Sequence, residues 1–324
     1  MRFRLFVAIF SSVLTGCSTT SSAVQPLSSD VVLAKAAKAT HTLESAKYIL
    51  TGNINAKNSD LWSTDATMRM DGILHDAGEQ MRFQLDTDAV VQTPEDDYEL
   101  DATLEVVVAS KDEVYMNLHS LVVQPPNPLL RPDLVGKLAS KWWLLPQNDS
   151  LPVTSQVTPD PRLLQAQSQV VRITKDNGII EMNGSQLYHY NVELDKEKLL
   201  AYLQKASLGD AAVDTVQLSR SLEGVTAKGE LWIDAETYYV HKLQWNIKEY
   251  PIQVGGMADI QFTVTFTDHN NAPDILLPLN AKEFSPYELL SPPELDFTND
   301  SILDTNLDLD DEAINSLLRS MDSY

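Results

Sequence analysis

Between Tyr98 and Leu118 the chain alternates apolar and polar residues with a period of two. Tyr98, Leu100, Ala102, Leu104, Val106 and Val108 alternate with Glu99, Asp101, Thr103 and Glu105. After a break at residues 110–112, Val114, Met116 and Leu118 resume one face. Successive side chains of a strand point to opposite sides of the sheet, so such a run is a strand with one dry face and one wet face. The same period occurs upstream at Tyr48, Leu50, Gly52 and Ile54, at Met68, Met70, Gly72 and Leu74, and at Met81, Phe83 and Leu85. Polar breaks at 76–79 and 93–97 supply the turns of an antiparallel meander. The pattern returns at 178–182 and 186–194, and then in "GELWIDAETYYVHKLQWNI", a hairpin turning near Asp234. Its second strand is expected to carry Tyr239, His241, Leu243, Trp245 and Ile247 on one face. Finally Ile260, Phe262, Val264 and Phe266 alternate with Gln261, Thr263, Thr265 and Thr267. These strands share one wide apolar sheet face.

Three stretches break the period. Residues 28–50 carry Val31, Val32, Ala36, Ala39, Leu43 and Ala46 at helical spacing, with Ser29 or Asp30 as cap, so a first helix is expected there. The middle, from Pro125 to Pro161, is rich in proline, which disfavours long strands. Short helices are expected at 129–138 and 161–169, flanking a "KWWLLP" strand. "DKEKLLAYLQKA" predicts a helix over 195–207 capped by Asp195. No residue-level repeat relates the two strand-rich halves, so residues 30–290 read as one domain, with two stacked smaller domains as the alternative.

The ends differ from this domain. Arg2 and Arg4 precede an apolar run over 5–13, which is the layout of a signal peptide. Nine or so residues are too few to span a membrane, which takes about 20. Leu14, Thr15 and Gly16 then lead to Cys17, the one cysteine of the chain. That tetrapeptide resembles a bacterial lipobox, in which the cysteine is lipidated and becomes the new N-terminus. It implies a signal peptide over 1–16 and a lipid-anchored tether over 17–29, rich in Ser and Thr. The other reading is an ordinary signal peptide with an incidental cysteine. At the other end, residues 291–324 form an acidic tail with a helix candidate at 310–321, read equally as an internal clamp or a partner-binding segment.

The net charge is −22, with 46 acidic and 24 basic residues. Such a surface repels polyanions, so no nucleic-acid partner is expected, and membrane contact has to come through the lipid on Cys17 or a local apolar patch. The six histidines are scattered without metal-ligand spacing. There is no G-x-S-x-G, S-x-x-K or glycine-rich phosphate loop. Asp304, Asn306 and Asp308 copy the first ligand positions of a calcium loop, but Leu309 and Asn315 stand where glycine and glutamate are needed. The sequence therefore nominates no catalytic residue, metal site or cofactor, and no enzyme.

The segment "AKGELWIDAETYYVHKLQW" resembles the late strands of the LolA/LolB-like and LppX/LprG-like lipoproteins: a glycine, an alternating strand ending in an acid, a short turn and a returning strand. Gly229, Trp232, Asp234, Thr237 and Val240 occupy that pattern. "EVYMNL" and "SKWWLLP" are similar to the family's tyrosine and tryptophan strands. The proline-rich middle, the acidic tail and the strong negative charge depart from the family. The resemblance implies an α+β fold, a strongly curved antiparallel β-sheet forming a half-open barrel, with helices covering the open side of an apolar cavity for acyl chains. The expected lining is Met68, Met70, Met81, Phe83, Met116, Trp143, Trp232, Trp245, Phe262 and Phe266. The function implied is a lipoprotein of the bacterial cell envelope, anchored on the extracytoplasmic side, that binds or carries lipid or lipoprotein cargo. The alternative is a non-enzymatic structural or interaction lipoprotein, with a filled core and an acidic tail that binds an envelope protein partner.

Overall fold

The computed structural model describes residues 27–58, 61–110, 113–126, 132–146, 170–206, 219–220, 222–252 and 255–285. All of these but Ser285 belong to one compact unit ending at Phe284. The alternating runs become strands β1 (Ser45–Asn58), β2 (Trp62–His75), β3 (Gln80–Gln92), β4 (Asp97–Ser110) and β5 (Glu113–Gln124). After β6 (Trp142–Leu144) come β7 (Val171–Met182), β8 (Ser185–Leu194), β9 (Thr226–Asp234), β10 (Val240–Pro251), β11 (Met257–Thr267) and the two-residue β12 (Lys282–Glu283). They form one open, curved sheet in the order β12-β6-β5-β4-β3-β2-β1-β11-β10-β9-β8-β7. Neighbouring strands are antiparallel except β12 and β6. The two meanders meet where β1 pairs with β11, from Lys47 opposite Thr267 to Lys57 opposite Met257.

Because the register is kept from strand to strand, the period-two pattern becomes rows of side chains across the sheet. Trp143, Met116, Val106, Phe83, Gly72, Tyr48 and Phe266 lie side by side on seven consecutive strands. On this inner face the sheet bends over glycines that sit beneath aromatic rings. A Cβ on Gly72 would lie 2.5 Å from the Tyr48 ring, and one on Gly229 would lie 2.1 Å from the Gln244 carbonyl oxygen and 3.0 Å from the Trp245 ring. Placing glycine opposite an aromatic lets the ring cover the backbone and lets the strands close inward. The β7 edge is blunted by two register shifts and by Arg172, Lys175, Asp176 and Glu181.

Three α-helices with these bounds accompany the sheet among the described residues, α1 (Ser29–Thr40), α2 (Pro132–Leu138) and α3 (Lys196–Ala206), and a 3-10 turn at Asp76–Gly78 joins β2 to β3. Helix α1 is shorter than the helical spacing over 28–50 predicts. Thr40 and Thr42 hydroxyls donate to the Ala36 and Ala39 carbonyls, each at 2.9 Å, and satisfy the last turn. Leu43 and Ala46 then serve the sheet, because pairing of β1 on both edges outweighs helix propensity there. A helix of this length is about 18 Å long, close to the roughly 19 Å of four inter-strand spacings. It crosses the inner face from β8, where Tyr188 hydrogen-bonds the Leu27 backbone, to the start of β1. Asp195 caps α3 by accepting from the Lys198 N–H at 3.0 Å, as predicted from "DKEK". Trp143 donates its indole N–H to the Leu138 carbonyl at 2.9 Å, tying the end of α2 to β6.

Candidate functional site

The candidate site is the inner face itself, and it is not uniform along the strands. The end where β1 starts and β2 finishes, here called the proximal end, is packed. One cluster there joins Ala46, Tyr48, Met70, Leu74, Met81, Phe83, Val106, Val114, Val264 and Phe266. A second, under α1, joins Val32 and Ala36 to Val171, Tyr188, Tyr190, Val192, Leu231, Ile233, Leu243 and Trp245. Phe262 and Val240 pack against both.

Six residues further along β1 to β4 and β11, and seven along β5 where a bulge intervenes, roughly 20 Å away, lies a different row. Val123, Leu100, Ala89, Ala66, Ile54, Ile260 and Ile247 are adjacent across seven strands. Every one of them is apolar, and every one is only partly buried. This distal row carries no aromatic ring and has two alanines at its centre, so side chains from the sheet leave room above it. An apolar strip that keeps solvent contact gains roughly 0.8 kcal/mol for each methylene laid upon it.

The structure brings most of the expected lining residues together on this face. Met70, Met81 and Phe83 are buried in the proximal cluster, where Met116 packs at its border. Trp143 joins through Phe284, its ring edge-on at 6.0 Å. Trp245 is in the α1 cluster, Phe262 and Phe266 lie on β11, and Met68 stands beside Gly52 between the packed and open regions. Trp232 is placed elsewhere. It lies between Leu231 and Ile233, so the pleat turns it to the outer face, stacked on His189 at 4.7 Å under the Lys242 ammonium at 4.6 Å. His189 also bonds Glu230 at 2.7 Å, which makes a cross-strand surface network.

The hairpin carries a second correction. The register of β9 and β10 shifts between Val240 and Lys242. A bulge adds one residue and reverses the alternation. Val240 therefore packs inward with Leu243, Trp245 and Ile247, while Tyr239 stacks on His269 at 4.9 Å at the rim. The residues sequence reasoning missed are the small ones of the distal row. Ala66 and Ala89 were at hand in the alternating pattern, but only the register shows them to be adjacent.

The electrostatics of the face suit neutral, apolar matter. Burial pushes the Tyr48 and Tyr190 hydroxyls well above the ordinary phenol range, and Tyr48 points its hydroxyl at the Met70 sulfur, 3.5 Å away. The imidazoles of His241 and His269 are pushed down, chiefly by burial. Among the described residues no three His, Cys, Asp or Glu converge as metal ligands. A depression of about 520 Å³ follows the same stretch of strands as the distal row, lined by Ile54, Ala66, Ala89 and Leu100 of that row together with flanking residues that include Asp65, Asp88, Glu99 and Asp101. Its four carboxylates are exposed, and Asn55 bonds one of them, Asp65.

Cys17, Leu14, Thr15, Gly16, the helix expected at 161–169, the calcium-like fragment and the acidic tail with its helix at 310–321 lie outside the described residues. Among the described residues no helix is long and apolar enough to cross a membrane.

No family model matches the chain, and no curated protein does. The solved structures it is similar to include the lipoprotein LppX of Mycobacterium tuberculosis, at 11% identity and a TM-score of 0.33, covering 76% of this chain and 99% of that one. They also include a LolA superfamily protein from Nitrosomonas europaea, at 7% identity and a TM-score of 0.20, covering 78% of this chain and 96% of that one.

Proposed function

We propose that the protein is a lipoprotein of the bacterial cell envelope, anchored through Cys17, that binds the acyl chains of lipids or lipoproteins along the distal row of its inner sheet face. The observation that carries the reading is the row from Val123 to Ile247, apolar on every strand and only partly buried. Its partners are the membrane, through the anchor, and an apolar cargo. The reaction is binding and release; no covalent step is assigned. The proximal clusters act as the wall that holds the curvature, and the distal row as the floor on which a chain lies.

The test is lipid mass spectrometry on the protein with Cys17 replaced by serine, purified gently beside a similarly acidic control. Stoichiometric lipid enriched over the control is the expected result and identifies the cargo class. A lipid-free protein that stays so after incubation with envelope lipids overturns the reading and favours a partner-binding lipoprotein. The anchor is checked separately, by the mass of the N-terminal peptide from the membrane fraction.

A further inference from the structure

The loop between β11 and β12 carries the two most exposed large apolar side chains among the described residues, Leu276 and Leu279, with Leu277 between them. Leu276, Leu277 and Leu279 are 70%, 48% and 86% exposed. The stretch from Ile275 to Asn280 contains no charge, in a chain whose net charge is −22. Both ends of this loop are fastened. Asn270 accepts from the Glu44 N–H at 2.7 Å and donates to the Tyr239 hydroxyl at 2.8 Å, and its own N–H bonds the Ser45 carbonyl at 2.7 Å. The Ala272 N–H bonds the Ser45 hydroxyl at 3.2 Å, and His75 donates to the Pro273 carbonyl at 2.9 Å. Beyond the leucines, β12 pairs with β6, and the Phe284 N–H bonds the Leu144 carbonyl at 2.8 Å. The leucines are thus held out in solvent by a braced strap across the proximal ends of β1 to β6.

The chain towards the N-terminus leaves the domain at the same end. Leu27 packs against the α1 cluster and its backbone bonds Tyr188. Tyr188 in turn stacks at 6.5 Å on Tyr238, in the turn between β9 and β10 at the proximal end. The ten residues from Cys17 to Leu27 can reach about 35 Å at full extension. An anchor on Cys17 therefore keeps the proximal end within that distance of the bilayer. A projecting apolar knob on that end, uncharged within an acidic protein, matches the apolar interior of a membrane interface better than a charged surface.

We infer that Leu276, Leu277 and Leu279 form a membrane-docking wedge that inserts into the bilayer interface and orients the domain with its proximal end on the membrane. This rests on the anchored-lipoprotein reading for its geometry, and the test separates the two. The chain from Ser18 onward, with a hexahistidine tag in place of residues 1–17, is held on phosphatidylcholine vesicles containing a nickel-chelating lipid. That supplies the tether whether or not Cys17 is acylated in the cell. An environment-sensitive fluorophore is attached at Leu276→Cys, and in a second protein at Leu61→Cys, a 63% exposed leucine in the β1–β2 turn at the distal end.

The expected result is a blue shift with at least a two-fold gain in emission at position 276, quenched by spin-labelled lipid, and no change at position 61. Adding Leu277→Asp and Leu279→Asp to the Leu276→Cys protein should abolish that gain; these sites are exposed, so circular dichroism should be unchanged. An aqueous signal at 276 on the tethered protein overturns the wedge, as does an equal shift at both positions, which would mean unspecific adsorption. A signal at 276 that appears only with envelope protein extract also overturns it and assigns the loop to a protein partner. Finding Cys17 unmodified in cells would sink the anchor and leave the vesicle result standing by itself.

Discussion

The proximal and distal rows of the inner face share six strands, β1 to β5 and β11, yet they behave differently. The proximal row places Tyr48, Phe83, Met116, Trp143 and Phe266 side by side, and the rings fill the space inside the curve. The distal row places Ile54, Ala66, Ala89, Leu100 and Ile260 there instead, and these keep solvent contact. Backbone pairing is common to both, so the difference is one of side-chain volume. A sheet of this kind sets the wall by hydrogen bonding and decides by residue size which stretch is core and which is free to receive something else.

Stability should follow that division. Phe83→Ala removes a ring that is 1% exposed inside the proximal cluster and should cost about 3–5 kcal/mol. Leu100→Ala, on the distal row, should cost about 1 kcal/mol or less, because water already reaches that side chain. Denaturant unfolding of the two variants gives the comparison directly. Similar losses would mean that the distal row is as firmly packed as the proximal one.

A smaller effect should come from the bend. In Gly229→Ala the new methyl meets the Gln244 carbonyl oxygen at 2.1 Å, a backbone atom that cannot swing aside. Overpacking of this sort costs about 1–3 kcal/mol. Gly178→Ala has open space around its Cβ and only the left-handed φ of +81° to resist it, so it should cost less. Thermal unfolding of the pair tests whether close approach, rather than backbone freedom, is why glycine stands at 229.

The curved sheet was legible in the sequence because each strand from 48 to 118 advertises one dry face, and that face is indeed continuous across the fold. Helix α3 was legible for a comparable local reason, its Asp195 cap. What was not legible depends on partners distant in the chain. Trp232 reads as lining by type, but the pleat and its stacking on His189 set it outside. The bulge at His241 moves Tyr239 away from the core, and no local signal in "TYYVHK" marks it. Pairing of β1 with β11, more than two hundred residues on, is what aligns Ile54 with Ile260 and makes a row of residues that look ordinary one at a time.

The proximal rim should also respond to acid. His269 donates to the Val240 carbonyl at 3.0 Å and lies against Tyr239, and burial holds its imidazole below the ordinary value of about 6.5. The folded protein therefore binds fewer protons than the unfolded chain just below that pH. Its contribution is intact above about pH 6.5 and is lost progressively as pH falls from there toward the lowered folded value. His269→Gln should flatten this part of the stability–pH curve, leaving the share of His241, which is shifted in the same direction. An unchanged slope would place the acid sensitivity of the fold elsewhere.

The smallest expected change in stability is the one that sharpens the comparison most. Ala66→Phe and Ala89→Phe together put two rings at the centre of the distal row, giving it the character of the proximal one. If that row is open to cargo, the rings occupy the space where acyl chains would lie. The melting temperature should then stay within a few degrees, or rise, while co-purified lipid falls by most of its amount. If the row is covered tightly by the chain itself, two added rings overpack it, at about 1–3 kcal/mol each, and the melting temperature should drop by many degrees without any lipid to lose. The two quantities move oppositely under the two arrangements, so measuring both on one preparation distinguishes a binding floor from a filled core. Because Ala66 and Ala89 face each other across β2 and β3, the two substitutions are close enough to couple, and the single variants are needed to separate their effects.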